Sequence, residues 1–158
     1  MDITLPIHKK MLLLLLKHKV DFILFGGYAV IYYGYERTTG DMDIWLKPDN
    51  TNRTKLIKAL SEHGIRKDDL NILETFDFSK VQVFFIGEKP SRIDFLTTVQ
   101  GVSYEEADRE KVYFPLEDQQ VPVIQYYHLI RTKITSSRPK DKADIDELQK
   151  INQFKNKS

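Results

Sequence analysis

Apolar and polar positions along this chain follow two different periods, and the change of period predicts where helices and strands lie. Apolar residues at helical spacing, without interior glycine or proline, predict helices. Short β-branched and aromatic runs bounded by glycine, proline or aspartate predict strands. The predicted helices are Pro6 to His18, Tyr28 to Tyr33, Thr51 to His63, Ser103 to Asp108, Ile124 to Thr135 and Pro139 to Gln153. The predicted strands are Val20 to Phe25, Asp41 to Leu46, Val81 to Ile86, Arg92 to Leu96, Lys111 to Leu116 and Gln120 to Val123.

The order of these elements predicts an α+β fold with a mixed β-sheet flanked by helices, including helices at the C-terminal end. We expect one domain over residues 1–158, with a core at about residues 20–100 and a C-terminal helical part at about 124–153. The turn through Gly87 and Pro90 predicts a hairpin of the strands on either side. The first helix holds enough leucine to pack in a core or across a homodimer.

Composition narrows the class of protein without naming a function. The chain has 158 residues, of which 41% are hydrophobic and 30% are charged, and this balance is typical of a globular domain. It contains no cysteine, which excludes disulfides, thiolate zinc sites and cysteine nucleophiles. Catalysis would therefore depend on oxygen and nitrogen groups. A reducing, cytoplasmic location fits this composition.

Charge is nearly balanced overall but unevenly distributed. The formal net charge is +1, which argues against a large nucleic-acid footprint. Residues 131–158 carry 8 basic and 4 acidic side chains, so a mildly basic tail follows a mildly acidic body and mildly favours RNA among nucleic-acid partners. The apolar run from Met11 to Leu16 is far shorter than the roughly 20 residues that span a bilayer, so we expect no membrane partner.

The strongest chemical signal is a pair of aspartates in one predicted strand. Side chains two positions apart share a face, so Asp41 and Asp43 project together while Met42 and Ile44 face the core. Two adjacent carboxylates resist joint ionisation unless a cation lies between them, and Mg²⁺ is a cation that prefers carboxylate oxygens and phosphates. The alternative is a strand start with two solvated acids.

A glycine turn and a third acid add to this signal. Gly26 and Gly27 follow a predicted strand and precede a helix, where free backbone N–H groups can meet a phosphate; the alternative is a simple strand-to-helix corner. Asp94 projects from an otherwise apolar strand. If that strand lies beside the one with Asp41, three acids share one surface and can hold two metal ions. Otherwise Asp94 is a surface acid on an edge strand.

These motifs, taken in order, resemble a known enzyme superfamily. The glycine turn, the segment Arg37-Thr38-Thr39-Gly40-Asp41-Met42-Asp43 and Asp94 are similar to the motifs of the nucleotidyltransferase superfamily that includes DNA polymerase beta. They are most similar to its small prokaryotic branch, which contains AbiEii-type abortive-infection toxins and minimal nucleotidyltransferases. A second block agrees with that branch: Leu129, Lys133, Arg138, Lys140, Asp141, Asp144 and Leu148.

The resemblance implies helices packed on a mixed sheet and transfer of a nucleoside monophosphate from an NTP to a hydroxyl acceptor, with release of pyrophosphate. It implies two Mg²⁺ ions, both bound by Asp41 and Asp43. By the same resemblance, Asp94 binds the catalytic ion and helps to deprotonate the acceptor, and Gly26 and Gly27 hold the triphosphate.

The resemblance leaves several roles open. Lys133 stands where such enzymes carry a helix lysine that reaches phosphate, although a solvated helix lysine is the alternative. Arg37 could contact triphosphate or pair with a neighbouring carboxylate. The pattern favours surface pairing for Lys140 and Asp141 in a charge-rich helix. Many superfamily members have serine after the first glycine, whereas Gly27 offers only its amide.

The acceptor is not specified by the sequence. Candidates are tRNA, a partner protein or a small hydroxyl compound. The resemblance also implies a place in a toxin–antitoxin or phage-defence system, with a cognate antitoxin or toxin as partner. The alternative function is a non-catalytic member of such a pair that binds a nucleotide or a partner. A plain RNA-binding module is disfavoured because no aromatic and basic RNA-binding motif is present.

Overall fold

The computed structural model describes residues 1–136 and 138–157. In these residues the chain forms seven helices and six strands. In chain order they are α1 Pro6–Lys17, β1 Phe22–Phe25, α2 Gly26–Tyr32, β2 Asp41–Leu46, α3 Asn50–His63, α4 Lys67–Leu73, β3 Val83–Ile86, β4 Arg92–Leu96, α5 Tyr104–Glu110, β5 Val112–Leu116, β6 Gln119–Val123, α6 Tyr126–Ile134 and α7 Pro139–Lys157.

The six strands form one mixed, open sheet in the order β3-β4-β2-β1-β6-β5. β2 lies antiparallel to β1 and parallel to β4, while β1 is also parallel to β6. Two antiparallel pairs, β3 with β4 and β5 with β6, complete the two ends of the sheet. The predicted α+β class with a mixed sheet and flanking helices is confirmed. The sheet extends past residue 100, because β6 adds to the open side of β1.

Most predicted elements are confirmed, and β2 and β4 match their predicted bounds residue for residue. The predicted hairpin of β3 and β4 is also confirmed. Helix α4 was not predicted, since its short polar sequence has only Leu70 and Leu73 buried against the core. Helix α2 begins at Gly26 rather than Tyr28, so the two glycines form its first turn instead of preceding it.

Helix α1 packs in the core of this chain. Met11, Leu12 and Leu15 are fully buried, and the helix lies against α3. Its buried His8 hydrogen-bonds through Nδ1 to the Tyr28 hydroxyl at 2.7 Å, which ties α1 to α2. Three of the five leucines of α1, Leu12, Leu14 and Leu15, are therefore core residues, and Leu13 and Leu16 are partly buried.

Local signals explain where helix α3 begins and ends. The Asp49 side chain accepts a hydrogen bond from the Asn52 N–H at 2.7 Å, which caps the first turn. Gly64 ends the helix with a φ of +103°, a left-handed conformation that glycine adopts without strain. In the described part of the chain, no helix is long and apolar enough to cross a membrane.

Candidate functional site

The strand register brings the three predicted acids to one surface. β2 and β4 run parallel, and Asp43 lies directly beside Asp94. Asp41 is two residues before Asp43 and shares its face of the sheet, while Met42 and Ile44 are fully buried on the opposite face. The predicted neighbourhood of these two strands is therefore confirmed, and Asp94 is not an edge-strand acid because β3 covers the outer side of β4.

The environment of Asp43 opposes its ionisation. Burial, followed by the negative charges of Asp94 and Asp41, raises the pKa of Asp43 to about 6 from 3.8. A hydrogen bond from the backbone of Gly27 and the positive charge of Lys133 act in the other direction without cancelling the effect. The positive charge near Asp43 is therefore too small to offset its burial and its two acidic neighbours.

A second sign of missing positive charge is found at Asp41. Its Oδ1 is buried and has no hydrogen-bond partner among the described residues. A buried carboxylate oxygen without a partner is costly, because it has lost its water and gained nothing in exchange. An oxygen-seeking divalent cation between Asp41 and Asp43 would satisfy both observations.

One oxygen of the Asp94 carboxylate already has a hydrogen-bond partner. Its Oδ1 accepts a hydrogen bond from Arg92 Nε at 2.9 Å, within the same strand. Within residues 1–136 and 138–157, no three Asp, Glu or His side chains converge closely enough to hold a metal ion as they stand. The donor chemistry of Asp41 and Asp43 thus fits Mg²⁺, whereas Asp94 would have to turn away from Arg92 to join them.

The two glycines allow the chain to pass close to the acids. Gly26 has a φ of +66°, and a Cβ at this position would overlap the Asp43 carboxylate. A Cβ at Gly27 would overlap the Thr39 hydroxyl and would lie 3.5 Å from Nη2 of Arg37. Both positions therefore need glycine for reasons of space, and the first also needs it for its backbone conformation.

A group of ion-paired side chains lies near the acids; Lys133, Asp141 and Asp144 are buried, whereas Arg138 is largely exposed. Lys133 in α6 is only 7% exposed, and its Nζ lies 2.9 Å from Asp141 Oδ1 and 2.9 Å from Asp144 Oδ2. Arg37 contacts Asp144 through Nε at 3.2 Å and through Nη2 at 3.2 Å. Arg138 reaches Asp141 through Nε at 2.8 Å. We call these five side chains the ion cluster.

The ion cluster corrects one prediction and bears on two others, while phosphate contact by Lys133 and Arg37 stays a prediction. Asp141 was expected to form surface pairs, but only 2% of it is exposed, because α7 folds back over α6. Lys140 is exposed, as expected. Lys133 is not a solvated helix lysine, and Arg37 does pair with a carboxylate. Burial opposes ionisation of Asp141, yet hydrogen bonds from Ser136, Lys133 and Arg138 outweigh it and lower its pKa to about 2.

The three acids, the two glycines and four residues of the ion cluster, all but Asp144, line a single pocket of about 280 Å³. All seven residues that the sequence predicts as site residues line it: Gly26, Gly27, Arg37, Asp41, Asp43, Asp94 and Lys133. Its lining also includes Thr39, Lys89, Ser136 and Arg138, so hydroxyl and cationic groups surround the carboxylates. A volume near 300 Å³ is at the lower end of small-molecule sites and suits a phosphate chain and its ions.

No protein-family model and no curated protein matches this chain significantly. The interpretation of the pocket therefore depends on its own residues and their chemistry.

Sequence reasoning missed the pocket-lining Lys89 and Ser136, and it also missed two residues that form ion pairs with predicted site residues, Arg92 and Asp144. Arg92 was not singled out, although it lies two residues before Asp94 on the same face, which is the spacing at which strand side chains meet. Asp144 was noted only as part of a motif, and its ion pairs with Lys133 and Arg37 depend on the packing of α7. The spacing of Asp141 and Asp144 on one helix face was the available signal.

Proposed function

We propose that this protein has a nucleotidyltransferase-like fold and transfers a nucleoside monophosphate from an NTP to a hydroxyl acceptor, with two Mg²⁺ ions as cofactors. The observation that carries the proposal is the register of β2 and β4, which sets Asp43 beside Asp94 and Asp41 in a pocket whose other wall is cationic. Carboxylates for cations and cations for phosphates, within one small pocket, are what metal-dependent phosphoryl chemistry requires.

The roles of the residues follow from their positions. Asp41 and Asp43 would hold Mg²⁺, and Asp94 would join them after leaving Arg92. When bound, the ions supply charge compensation for the phosphates and a lower pKa for the acceptor hydroxyl. The N–H groups of Gly26 and Gly27 and the cationic groups of Arg37 and Lys133 bind and orient the triphosphate.

The proposed transfer needs no reactant besides the NTP and the acceptor. The acceptor oxygen forms a bond to the α-phosphorus, and the bond from that phosphorus to the oxygen bridging to the β-phosphorus breaks. Pyrophosphate leaves with the electron pair of the broken bond. In this proposal Asp94 accepts the proton of the acceptor hydroxyl, and the positive charge of Lys133 offsets charge on the phosphates.

The pocket alone does not select an acceptor, and tRNA, a partner protein and a small hydroxyl compound all remain candidates. A second candidate function is favoured by one observation, the contact of Arg92 with Asp94. If this contact persists with nucleotide bound, the third acid is neutralised and the chain is a non-catalytic nucleotide- or partner-binding protein, for example one half of a toxin–antitoxin pair.

Thermal unfolding with each of the four NTPs, with and without Mg²⁺, tests the pocket. A ligand at one hundred times its Kd adds about 2.7 kcal/mol of stability, which corresponds to a Tm increase of roughly 5–10 °C for a chain of this size. We expect a Mg²⁺-dependent increase that is lost in Asp41→Asn/Asp43→Asn. The matched control is Asp68→Asn/Glu74→Gln, which removes two exposed acids at α4 and should keep the increase.

Transfer is then measured with an NTP labelled at the α-phosphate, incubated with cell extract, tRNA or protein fractions. Labelled product that needs Mg²⁺ and disappears with Asp41→Asn supports the enzyme. Transfer that survives Asp41→Asn would contradict the metal assignment. A Mg²⁺-dependent Tm increase without transfer to any fraction, or without release of pyrophosphate, would favour the non-catalytic alternative.

A further inference from the structure

The cationic side chains that line the candidate pocket differ in whether an acid already holds them. There are five of them: Arg37, Lys89, Lys133, Arg138 and Lys140. Three belong to the ion cluster, and Arg37, Lys133 and Arg138 pair with its two acids at distances of 2.8 to 3.2 Å. Lys89 and Lys140 form no ion pair within residues 1–136 and 138–157.

A phosphate group would have to compete with the acids of the ion cluster for the paired cations. Lys133 is only 7% exposed, and drawing it toward a phosphate would leave Asp141 and Asp144 buried with less positive charge. Removing one partner from a buried ion pair is strongly unfavourable. A lysine without an acid partner gives up only bound water. The unpaired lysines of the pocket can therefore bind phosphate at a smaller cost in free energy.

Lys89 lies in the turn that joins β3 to β4. The Ser91 N–H donates to the Glu88 carbonyl at 2.9 Å, which places Lys89 at a central position of a tight turn. β2 and β4 are parallel, and Asp41, the first residue of β2, lies opposite the first residue of β4. The turn before β4 is therefore at the same end of the strand pair as Asp41.

The side chain of Lys89 lies over Gly40, the residue before Asp41. A Cβ at Gly40 would be 3.6 Å from Cδ of Lys89, 3.9 Å from its Cγ and 4.0 Å from its Cε. The methylenes of this lysine therefore pass along the backbone that leads into the acids. Lys140, in contrast, lies in the first turn of α7, next to Asp141 of the ion cluster. Of the two unpaired lysines, Lys89 is the one beside the acids.

We propose that Lys89 binds the phosphate chain of the NTP. This inference rests on the proposed function and adds to it a cation that contacts phosphate without giving up an ion pair. Lys89 is exposed, so its ammonium group can turn toward a bound triphosphate while its methylenes stay on Gly40. It supplies positive charge to the phosphates from the same side of the pocket as Asp41 and Asp43, whose Mg²⁺ ions neutralise only part of the triphosphate.

Binding to the intact chain tests this assignment without any transfer step. The probes are the four NTPs in their α,β-methylene form, which cannot release pyrophosphate, each titrated by calorimetry in the presence of Mg²⁺. For every analogue that the natural chain binds, Lys89→Met should raise the Kd about tenfold, because one charge-assisted contact is lost. The factor should be the same for each base, since the phosphates are common to all. Lys89→Arg, which keeps the charge, should retain most of the affinity.

Two controls separate a phosphate contact from a general effect. Lys80→Met removes an exposed lysine just before β3, outside the residues that line the pocket, and should leave every Kd unchanged. Without ligand, Lys89→Met should keep the natural Tm, because no ion pair is lost.

The outcomes distinguish this inference from the proposed function. A natural chain that binds none of the four analogues with Mg²⁺ would overturn both. Binding by the natural chain with the same Kd in Lys89→Met would overturn the role of Lys89 alone. So would a loss confined to one base, a loss that Lys89→Arg does not rescue, or an equal loss in Lys80→Met.

Discussion

Two buried aspartates in this pocket have opposite electrostatic environments. Asp43 lies beside two other acids and its pKa is raised to about 6, whereas Asp141 lies among Lys133, Arg138 and Ser136 and its pKa is lowered to about 2. Both side chains lose water on folding, so burial acts on both in the same direction. The difference arises from their partners: the ion cluster satisfies its own acids, and the acidic wall lacks the cation that would satisfy it.

This comparison distinguishes a carboxylate that stabilises the fold, Asp141, from one that destabilises it, Asp43. A carboxylate with hydrogen bonds and counter-ions contributes to the stability of the fold, as Asp141 does in holding α7 against α6. A carboxylate crowded by like charges, as Asp43 is, reduces stability when it is ionised. Substitutions of Asp141 and Asp43 are therefore expected to change the free energy of unfolding in opposite directions.

The largest effect is expected from removing the cation at the centre of the ion cluster. Lys133→Met leaves Asp141 and Asp144 buried with less positive charge, so we expect a loss of about 3 kcal/mol in the free energy of unfolding. Urea unfolding at pH 7 measures it. The matched control is Lys142→Met, which removes an exposed lysine of α7 and should change stability by less than about 0.5 kcal/mol. If Lys133→Met lowered the free energy of unfolding no more than Lys142→Met does, the ion cluster would contribute nothing to stability.

Asp141→Asn should destabilise the protein at pH 7 by about 2 kcal/mol. The folded pKa of Asp141 lies below its unfolded value of 3.8, so ionised Asp141 stabilises the fold above that pH, and the contribution is lost as the pH falls toward 2. Urea unfolding at pH 7 and at pH 3 should therefore show a smaller difference between natural and variant protein at the lower pH. A difference independent of pH would contradict this account.

Asp43→Asn should stabilise the protein at high pH, whereas Asp141→Asn destabilises it. The folded pKa of Asp43 lies above its unfolded value, so folding favours the protonated form and the ionised carboxylate destabilises the fold above about pH 6. In buffer without divalent cations we expect the variant to gain about 2 kcal/mol at pH 8 and almost nothing at pH 4. If Asp43 binds Mg²⁺ as proposed, excess Mg²⁺ should reduce the gain at pH 8, because the asparagine variant lacks that ligand. A loss of stability at pH 8 would show that Asp43 is already satisfied.

The smallest effect concerns the close approach of α2 to Asp43. Gly26 and Gly64 both have positive φ, but only a Cβ at Gly26 would overlap a carboxylate, since nothing lies within 4 Å of a Cβ at Gly64. Both alanine variants should lose about 1 kcal/mol from backbone strain, and Gly26→Ala should lose about 1 kcal/mol more. Thermal unfolding of both measures the difference. Adding Asp43→Ala should remove the excess at Gly26 and leave Gly64→Ala unchanged.

The acidic wall was more predictable from the sequence than the ion cluster. The period of two in a strand determines that Asp41 and Asp43 share a face opposite Met42, and this relation is local. The sequence analysis needed β2 and β4 to be neighbours for the three acids to share one surface. No local pattern in the sequence specifies that these two strands pair. The burial of Asp141 was missed because a helix rich in charge looks solvated until the helix that covers it is known.

By itself, the sequence determined the α+β class, the bounds of β2 and β4 and seven of the residues that line the pocket, because propensity and side-chain period act over a few neighbouring positions. Only the tertiary structure decided that Asp43 lies beside Asp94, that Lys133 pairs with two acids of α7 and that Arg92 pairs with Asp94. These features join residues far apart in the chain, so they depend on how strands pair and helices pack rather than on any local pattern.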